Sequence, residues 1–174
     1  GVVNIITGLG ETTGAALVAH PGIDKIAFTG STQVGKIINK SATDTLKRVS
    51  LELGGKSPVV VFPDADLNAA IGGASNAIFF NHGQVCCAGS RLYAHRKVFD
   101  QMVEGISGAA KTIKLGPGLD PQTQMGPLVS KEQQDRVLSY IESGKSQGAS
   151  VVVGGGAPSN AGYYVEPTVL VNVK

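Results

Sequence analysis

The chain of 174 residues is long enough for one ordinary domain or for two small domains that are closely joined. Hydrophobic residues make up 42% of it and charged residues 16%, a globular composition that excludes a disordered chain. The net charge of +2 comes from scattered side chains, and no apolar run approaches about 20 residues, so we expect neither a nucleic-acid partner nor a membrane span.

The first predicted elements are a strand, a glycine-rich turn and a helix. Residues 2–6 form an apolar run that predicts a buried strand, and the alanine-rich stretch that stops at Pro21 predicts a helix. Between them lie Gly8, Gly10 and Gly14, in a pattern that resembles a dinucleotide-binding fingerprint with one residue too many. A nucleotide site and an ordinary tight turn both remain open at this point.

A second strand over residues 25–28 is followed by a second turn that contains Gly30 and Ser31, and then by a helix. The N–H groups at a helix N-terminus are free and favour anions, so Gly30 would let a pyrophosphate approach and Ser31 could donate a hydroxyl hydrogen bond. The alternative is that Ser31 only caps its own helix.

A third strand is predicted over residues 48–53. Because side chains alternate along a strand, Val49, Leu51 and Leu53 share one face and Glu52 lies on the other. The strand–helix order predicts a mostly parallel sheet with helices packed on it, an α/β fold. A glutamate within such a strand could be partly buried and act as a general base, or it could be a structural or outward-facing carboxylate.

Residues 54–58 break this pattern and are the predicted joint between two lobes. A strand over residues 59–62 follows, and then a helix whose first turn Asp66 could cap. The segment 81–90 interrupts that helical pattern and contains both cysteines, Cys86 and Cys87.

Adjacent cysteines rarely meet disulfide geometry, which predicts a reduced, cytoplasmic protein. A free cysteine is usually a small buried hydrophobe, but the polar surroundings of Cys86 would allow access to its thiol. His82 precedes Cys86 by four residues and could form a Cys–His pair with it. The cysteines and histidines do not have the spacing of a metal site.

The last third of the chain continues the alternation. It predicts a strand at residues 91–95, a long helix ended by Gly116, a helix capped by Ser130 and Gln133, and strands at residues 150–153 and 168–173 around a loop at 154–162. The chain starts at Gly1 without methionine and ends directly after an apolar run, so we expect both ends to be internal to a longer protein.

Several segments together resemble the aldehyde dehydrogenase family, and the resemblance covers essentially the whole chain. Residues 51–58 (LELGGKSP) are similar to its glutamate signature, and residues 79–90 (FFNHGQVCCAGS) to its cysteine signature. Residues 26–35 (IAFTGSTQVG) are similar to its cofactor-binding turn, and residues 125–128 and 163–168 also resemble family segments.

The resemblance implies oxidation of an aldehyde to a carboxylic acid with NAD or NADP. Cys86, rather than Cys87, would be the nucleophile and Glu52 the base that activates water to hydrolyse the thioester. The backbone N–H of Cys86 would be one oxyanion donor. Cofactor-binding roles are implied for Gly10, Gly14, Gly30, Ser31, Gly35 and Leu53.

The resemblance also implies a domain organisation, with residues 1–53 as the C-terminal part of a dinucleotide-binding domain and residues 54–174 as a truncated catalytic domain. Family chains begin earlier and end later, so the cofactor sheet would be incomplete and its edges unpaired. We therefore expect the isolated chain to have little activity, and the full-length enzyme to be a homo-oligomer, a dimer or a tetramer. The alternatives are a cysteine hydrolase that uses Cys86 with His82 or Glu52, and a non-catalytic fragment.

Overall fold

The computed structural model describes residues 1–159 and 162–174. The chain divides into two compact units, Gly1–Gly55 and Lys56–Lys174, which we call the N-terminal unit and the C-terminal unit. The boundary falls within the predicted joint, while the assignment of a cofactor domain and a catalytic domain stays a prediction.

The N-terminal unit is a parallel pair of strands joined by a helix. Strands β1 and β2 pair along their whole length, with Lys25 opposite Arg48 and Gly30 opposite Leu53. A parallel pair needs such a crossover connection, so the βαβ arrangement confirms the predicted α/β fold. In chain order the elements are a π-helical turn Gly10–Gly14, α1 Ala15–Ala19, β1 Lys25–Gly30, α2 Thr32–Ala42, a 3₁₀ turn Thr43–Thr45 and β2 Arg48–Leu53.

Side chains of β2 alternate between the two faces of the strand, as predicted. Val49, Leu51 and Leu53 are half-buried, whereas Glu52 on the other face is exposed. Helix α2 contacts β2, and a Cβ added to Gly35 would lie 2.7 Å from Leu53 Cδ2. Glycine at position 35 therefore lets the helix approach the strand closely.

The predicted strand at residues 2–6 is wrong. These residues have no strand structure, and their large side chains, such as Val2 and Ile5, are exposed. A strand requires a partner for its ladder of hydrogen bonds, and β1 and β2 pair only with each other among the described residues.

A buried lysine, Lys47, links the residue that follows α1 with the 3₁₀ turn that follows α2. Lys47 is only 8% exposed, and its Nζ donates to the His20 carbonyl at 2.9 Å and to Thr45 Oγ1 at 2.7 Å. These two oxygens partly replace the water that the ammonium group loses on burial.

In its described residues, the C-terminal unit contains two small sheets and three long helices. Strands β3 and β4 are parallel, whereas β5 and β6 are antiparallel. Its core is a cluster around Met102, whose side chain is fully buried, with Val61, Ala74, Val98 and Ile106. The elements are β3 Pro58–Val61, α3 Leu67–Phe79, a 3₁₀ turn Phe80–Gly83, β4 Arg91–Ala94, α4 Phe99–Thr112, α5 Lys131–Ser146, β5 Ser150–Val153 and β6 Val169–Val171.

Both predicted helix caps of the C-terminal unit are confirmed. Asp66 Oδ1 accepts hydrogen bonds from two backbone N–H groups at the start of α3, at 3.0 and 3.1 Å. Ser130 Oγ accepts one from the N–H of Gln133, at 3.2 Å. Of the predicted loop at 154–162, residues 160 and 161 lie outside the described residues. No helix in the described part of the chain is long and apolar enough to cross a membrane.

Candidate active site

The cysteine loop, residues 81–90, begins with a sharp turn out of α3. Asn81, His82 and Gly83 all have left-handed backbone angles, with φ of 49°, 60° and 69°. A Cβ at Gly83 would lie 2.9 Å from the carbonyl oxygen of Ile78, so only glycine fits there. The sequence signal for this turn was the glycine, but the pattern did not predict left-handed angles at Asn81 and His82.

Both ends of the cysteine loop are fixed by hydrogen bonds. At its start, the Gln84 N–H donates to the Asn81 carbonyl at 3.0 Å, and Asn81 Nδ2 donates to the Gln84 carbonyl at 3.2 Å. At its end, the Gly89 N–H donates to the Ala77 carbonyl at 3.0 Å. A Cβ at Gly89 would lie 2.5 Å from Val59 Cγ2, so this end of the loop also packs closely against β3.

The two cysteines lie at the outer turn of this loop as free, exposed thiols. A hydrogen bond of 2.9 Å from the Ala88 N–H to the Val85 carbonyl closes the turn around them. The backbone N–H of Cys86 has no acceptor within residues 1–159 and 162–174. The Cys86 thiol is therefore accessible to a reactant, and a nearby N–H is available to an anionic oxygen.

His82 does not pair with Cys86. Its Nε2 lies 2.8 Å from the carbonyl oxygen of Gly126, to which it donates a hydrogen bond. Its Nδ1 is buried and has no hydrogen-bond partner in the described part of the chain. A Cys–His nucleophile needs a ring nitrogen at the thiol, so this arrangement gives no support to a cysteine hydrolase that uses His82.

Glu52 lies beside the turn that follows β1. The register of the sheet places Thr29 opposite Glu52 and Gly30 opposite Leu53. Of the alternatives for Glu52, a partly buried base or an outward-facing carboxylate, the structure shows the second: its side chain is on the face of β2 opposite the half-buried residues and is exposed. An exposed carboxylate at the end of a strand is free to contact water or a ligand.

The turn between β1 and α2 leaves backbone N–H groups free at the start of a helix, and its role as a cofactor site stays a prediction. Ser31 Oγ accepts from the Val34 N–H at 3.2 Å, so Ser31 does cap its own helix, while its hydroxyl hydrogen stays free to donate. The N–H groups of Thr32 and Gln33 lie in the first turn, where a helix supplies no acceptor. A Cβ on Gly30 would lie 2.5 Å from Phe28 Cζ, so the ring covers the space that a side chain would need.

The other predicted cofactor residues have structural surroundings of their own. Gly10 and Gly14 bound the short turn that opens α1, where three successive N–H groups, of residues 12 to 14, donate to the Leu9 carbonyl at 2.9 to 3.3 Å. Gly35 is buried against Leu53 in the contact between α2 and β2. These positions shape the backbone, and their roles toward a cofactor stay predictions.

Comparison with known proteins gives a consistent result across the whole chain. The model of the aldehyde dehydrogenase family matches residues 1–174. The protein DhaS of Bacillus subtilis (strain 168) is 55% identical over 174 residues, which are 100% of this chain and 35% of that protein. The phenylacetaldehyde dehydrogenase of Pseudomonas fluorescens is 49% identical over 173 residues, 99% of this chain and 34% of that enzyme.

Solved structures agree with these sequence matches. The NAD⁺ complex of the aldehyde dehydrogenase from Bacillus cereus superimposes with a TM-score of 0.92 at 51% sequence identity. The match covers 96% of this chain and 34% of that one. The chain thus spans about a third of the length of the curated relatives it matches, which is 35% and 34% for the two named above.

Proposed function

Because the chain belongs to the aldehyde dehydrogenase family, we propose that its residues take part in the NAD(P)⁺-dependent oxidation of an aldehyde to a carboxylic acid. The observation that carries the proposal is the exposed Cys86 thiol on a loop held at one end by the His82 bond to the Gly126 carbonyl and at the other by the Gly89 bond to the Ala77 carbonyl. Such a thiol is accessible and yet held in place, as a nucleophile requires.

In the first step, the Cys86 thiolate attacks the aldehyde carbonyl carbon. A C–S bond forms, and the electron pair of the carbonyl π bond moves to oxygen. The Cys86 N–H, which lacks an acceptor in the described part of the chain, donates a hydrogen bond to that oxygen and stabilises its negative charge.

When bound, NAD(P)⁺ would supply the hydride acceptor, and loss of a hydride from the carbon of this adduct would leave a thioester on Cys86. The free N–H groups of Thr32 and Gln33, at the positive end of an 11-residue helix, fit the pyrophosphate of such a cofactor, and the Ser31 hydroxyl would donate to it. Neighbouring Gly30 adds no side chain of its own beside this helix end, where the Phe28 ring already occupies the space that a Cβ would need. The NAD⁺ complex of the similar Bacillus cereus enzyme supports the same choice of cofactor.

Glu52 acts on the thioester. Its carboxylate takes a proton from water, the water oxygen attacks the acyl carbon, and the C–S bond breaks to release the acid and the Cys86 thiolate. The aldehyde carbon loses two electrons, which the cofactor carries away as hydride. The exposure of Glu52 and its place opposite Thr29 in the sheet support this role, because water and the cofactor turn are both within its surroundings.

The test uses the complete reading frame that contains residues 1–174. Cys86→Ser is expected to lower kcat/KM by about 10⁴-fold or more, because a hydroxyl without a base is a poor nucleophile. Glu52→Gln is expected to lower kcat by about 10²- to 10⁴-fold and to accumulate an acylated Cys86 that mass spectrometry detects.

Cys87→Ser is the matched control, since Cys87 is also exposed on the same turn. It is expected to retain most of the activity. A loss on Cys87→Ser as large as that on Cys86→Ser would reassign the nucleophile, and full turnover by Glu52→Gln would remove Glu52 from the mechanism.

A further inference from the structure

Among the described residues, one hydrogen bond connects the cysteine loop with segment 114–128, and the His82 side chain makes it. The other hydrogen bonds of residues 81–90 stay within residues 77–90, in the described part of the chain. His82 Nε2 reaches the carbonyl of Gly126, 44 positions away in sequence, at 2.8 Å. The loop is thus attached to a second part of the C-terminal unit at one point.

The acceptor of this hydrogen bond lies on a well-connected segment. The Met125 N–H donates to the Lys114 carbonyl at 3.2 Å, and the Gly116 N–H donates back to the Met125 carbonyl at 3.2 Å. Met125 and Leu128, on either side of Gly126, are both 7% exposed. The Gly126 carbonyl is therefore a fixed point, and a group bonded to it is held in place.

His82 also has a backbone conformation that residues with a Cβ adopt infrequently. Its φ of 60° is left-handed, and so is the φ of 49° at Asn81 directly before it. Residues with a Cβ avoid this region unless the surrounding contacts enforce it. Asn81 has its own side-chain bond to the Gln84 carbonyl, whereas the only partner of the His82 ring is Gly126 within the described residues.

The hydrogen bond fixes the role of one ring nitrogen. A carbonyl oxygen can only accept, so Nε2 carries a hydrogen and donates it, while the buried Nδ1 has no hydrogen-bond partner in the described part of the chain. Among the described residues, the ring thus bonds the backbone of residue 126 and neither cysteine.

From these observations we infer that His82 is a positioning residue: its hydrogen bond to Gly126 holds the strained turn at residues 81–83 and thereby the place of the Cys86 thiol. The inference deepens the proposed function, and its catalytic meaning rests on Cys86 being the nucleophile. The loop geometry itself can be tested without any cofactor or aldehyde.

The experiment compares His82→Phe, which keeps a ring and removes the donor, with His82→Gln, which keeps a donor. In His82→Phe we expect hydrogen exchange at the Gln84 and Ala88 amides to accelerate about fivefold. This is the factor by which the loss of one ordinary hydrogen bond raises the population of the open loop. We also expect the ratio of iodoacetamide labelling at Cys86 and Cys87 to move toward one, since two adjacent thiols in a released loop become equivalent.

His82→Gln is expected to restore both readouts toward the values of the unchanged chain, and His95→Phe, at an exposed histidine of the same unit, to leave them unchanged. Exchange and labelling within twofold of the unchanged chain in a folded His82→Phe variant would overturn the inference. So would a His82→Gln variant that behaves like His82→Phe, because the hydrogen bond would then not be the cause. If His82→Phe does not fold, the comparison of His82→Gln with the unchanged chain decides, and a change of more than about twofold in its exchange or labelling would overturn the inference.

The two proposals fail separately. If exchange and labelling respond as expected but Cys86→Ser leaves aldehyde oxidation intact, the proposed function is lost and the anchoring role of His82 stands. If Cys86→Ser abolishes activity but exchange and labelling do not respond to substitution of residue 82, only the inference about His82 is lost.

Discussion

The two units of the chain reach their stability in different ways. In the C-terminal unit, two long helices and a strand surround Met102 completely. In the N-terminal unit few residues are buried, and these are Lys47 and residues of α2. The apolar residues before α1 are exposed. Buried apolar area grows with domain size, so a unit of 55 residues has far less to gain from a core than one of 119. The proposed nucleophile lies in the unit with the core, and the proposed cofactor turn in the unit without one.

The largest expected effect comes from truncating the core of the C-terminal unit. Met102→Ala is expected to lower the free energy of unfolding of that unit by about 3 to 4 kcal/mol, because it leaves a cavity among Val61, Ala74 and Ile106. Ile38→Ala, the corresponding truncation on α2, is expected to cost about 2 kcal/mol, since fewer groups surround it. Hydrogen exchange resolved by unit, as a function of urea, measures both.

Leu119→Ala is the control for these truncations, because Leu119 is 100% exposed and its loss should be neutral. A cost for Ile38→Ala equal to that for Met102→Ala would show that the N-terminal unit has a core comparable to its neighbour's.

A smaller effect should separate the helix caps of the two units. Asp66→Ala removes a carboxylate that accepts from two N–H groups and favours the positive end of α3, and it should cost about 1 to 2 kcal/mol. Ser31→Ala removes a neutral acceptor of one N–H group and should cost about 1 kcal/mol or less. Thermal unfolding monitored by circular dichroism gives the order.

Asp64→Ala, two residues before the Asp66 cap and without a capping bond, controls for the loss of a negative charge in that turn. If Asp64→Ala destabilises as much as Asp66→Ala, net charge rather than capping explains the difference between the two helices.

The smallest effect is expected at the surface of the C-terminal unit. Lys131 and Asp135 form an ion pair one turn apart on α5, with side chains 60% and 58% exposed. Asp135→Ala should change the free energy of unfolding by about 0.5 kcal/mol or less, and less still at high salt, because solvent screens such pairs. If urea denaturation gives a larger change in the free energy of unfolding, surface charge stabilises this unit in addition to the Met102 cluster.

The predictions from sequence that agree with the structure concern elements set by local residue spacing. Strands β1 and β2, and the alternation that places Glu52 on the face opposite Leu51 and Leu53, follow from the spacing of apolar residues, and the caps at Asp66 and Ser130 follow from side chains that bond their own helix. The run at residues 2–6 has an equally apolar pattern but no partner, and a pattern does not reveal whether a neighbouring strand is present.

The features of the candidate site that could not be predicted depend on distant parts of the chain. The motif identified the cysteine, but the left-handed angles at Asn81 and His82 depend on contacts that form only in the folded unit. The bond between His82 and Gly126 joins positions 44 residues apart, beyond the reach of any local pattern. The exposure of Glu52 likewise depends on what packs on the second face of β2, which alternation alone does not specify.

The burial of Lys47 has a chemical consequence. Its amine is enclosed by the His20 carbonyl and the Thr45 hydroxyl, so reagents that acylate lysines can reach it only when the N-terminal unit opens. Lysines 36 and 40 on the exposed surface of α2 react without such opening. The acylation rate of Lys47, compared with the rates of these two exposed lysines, therefore measures how often the N-terminal unit opens.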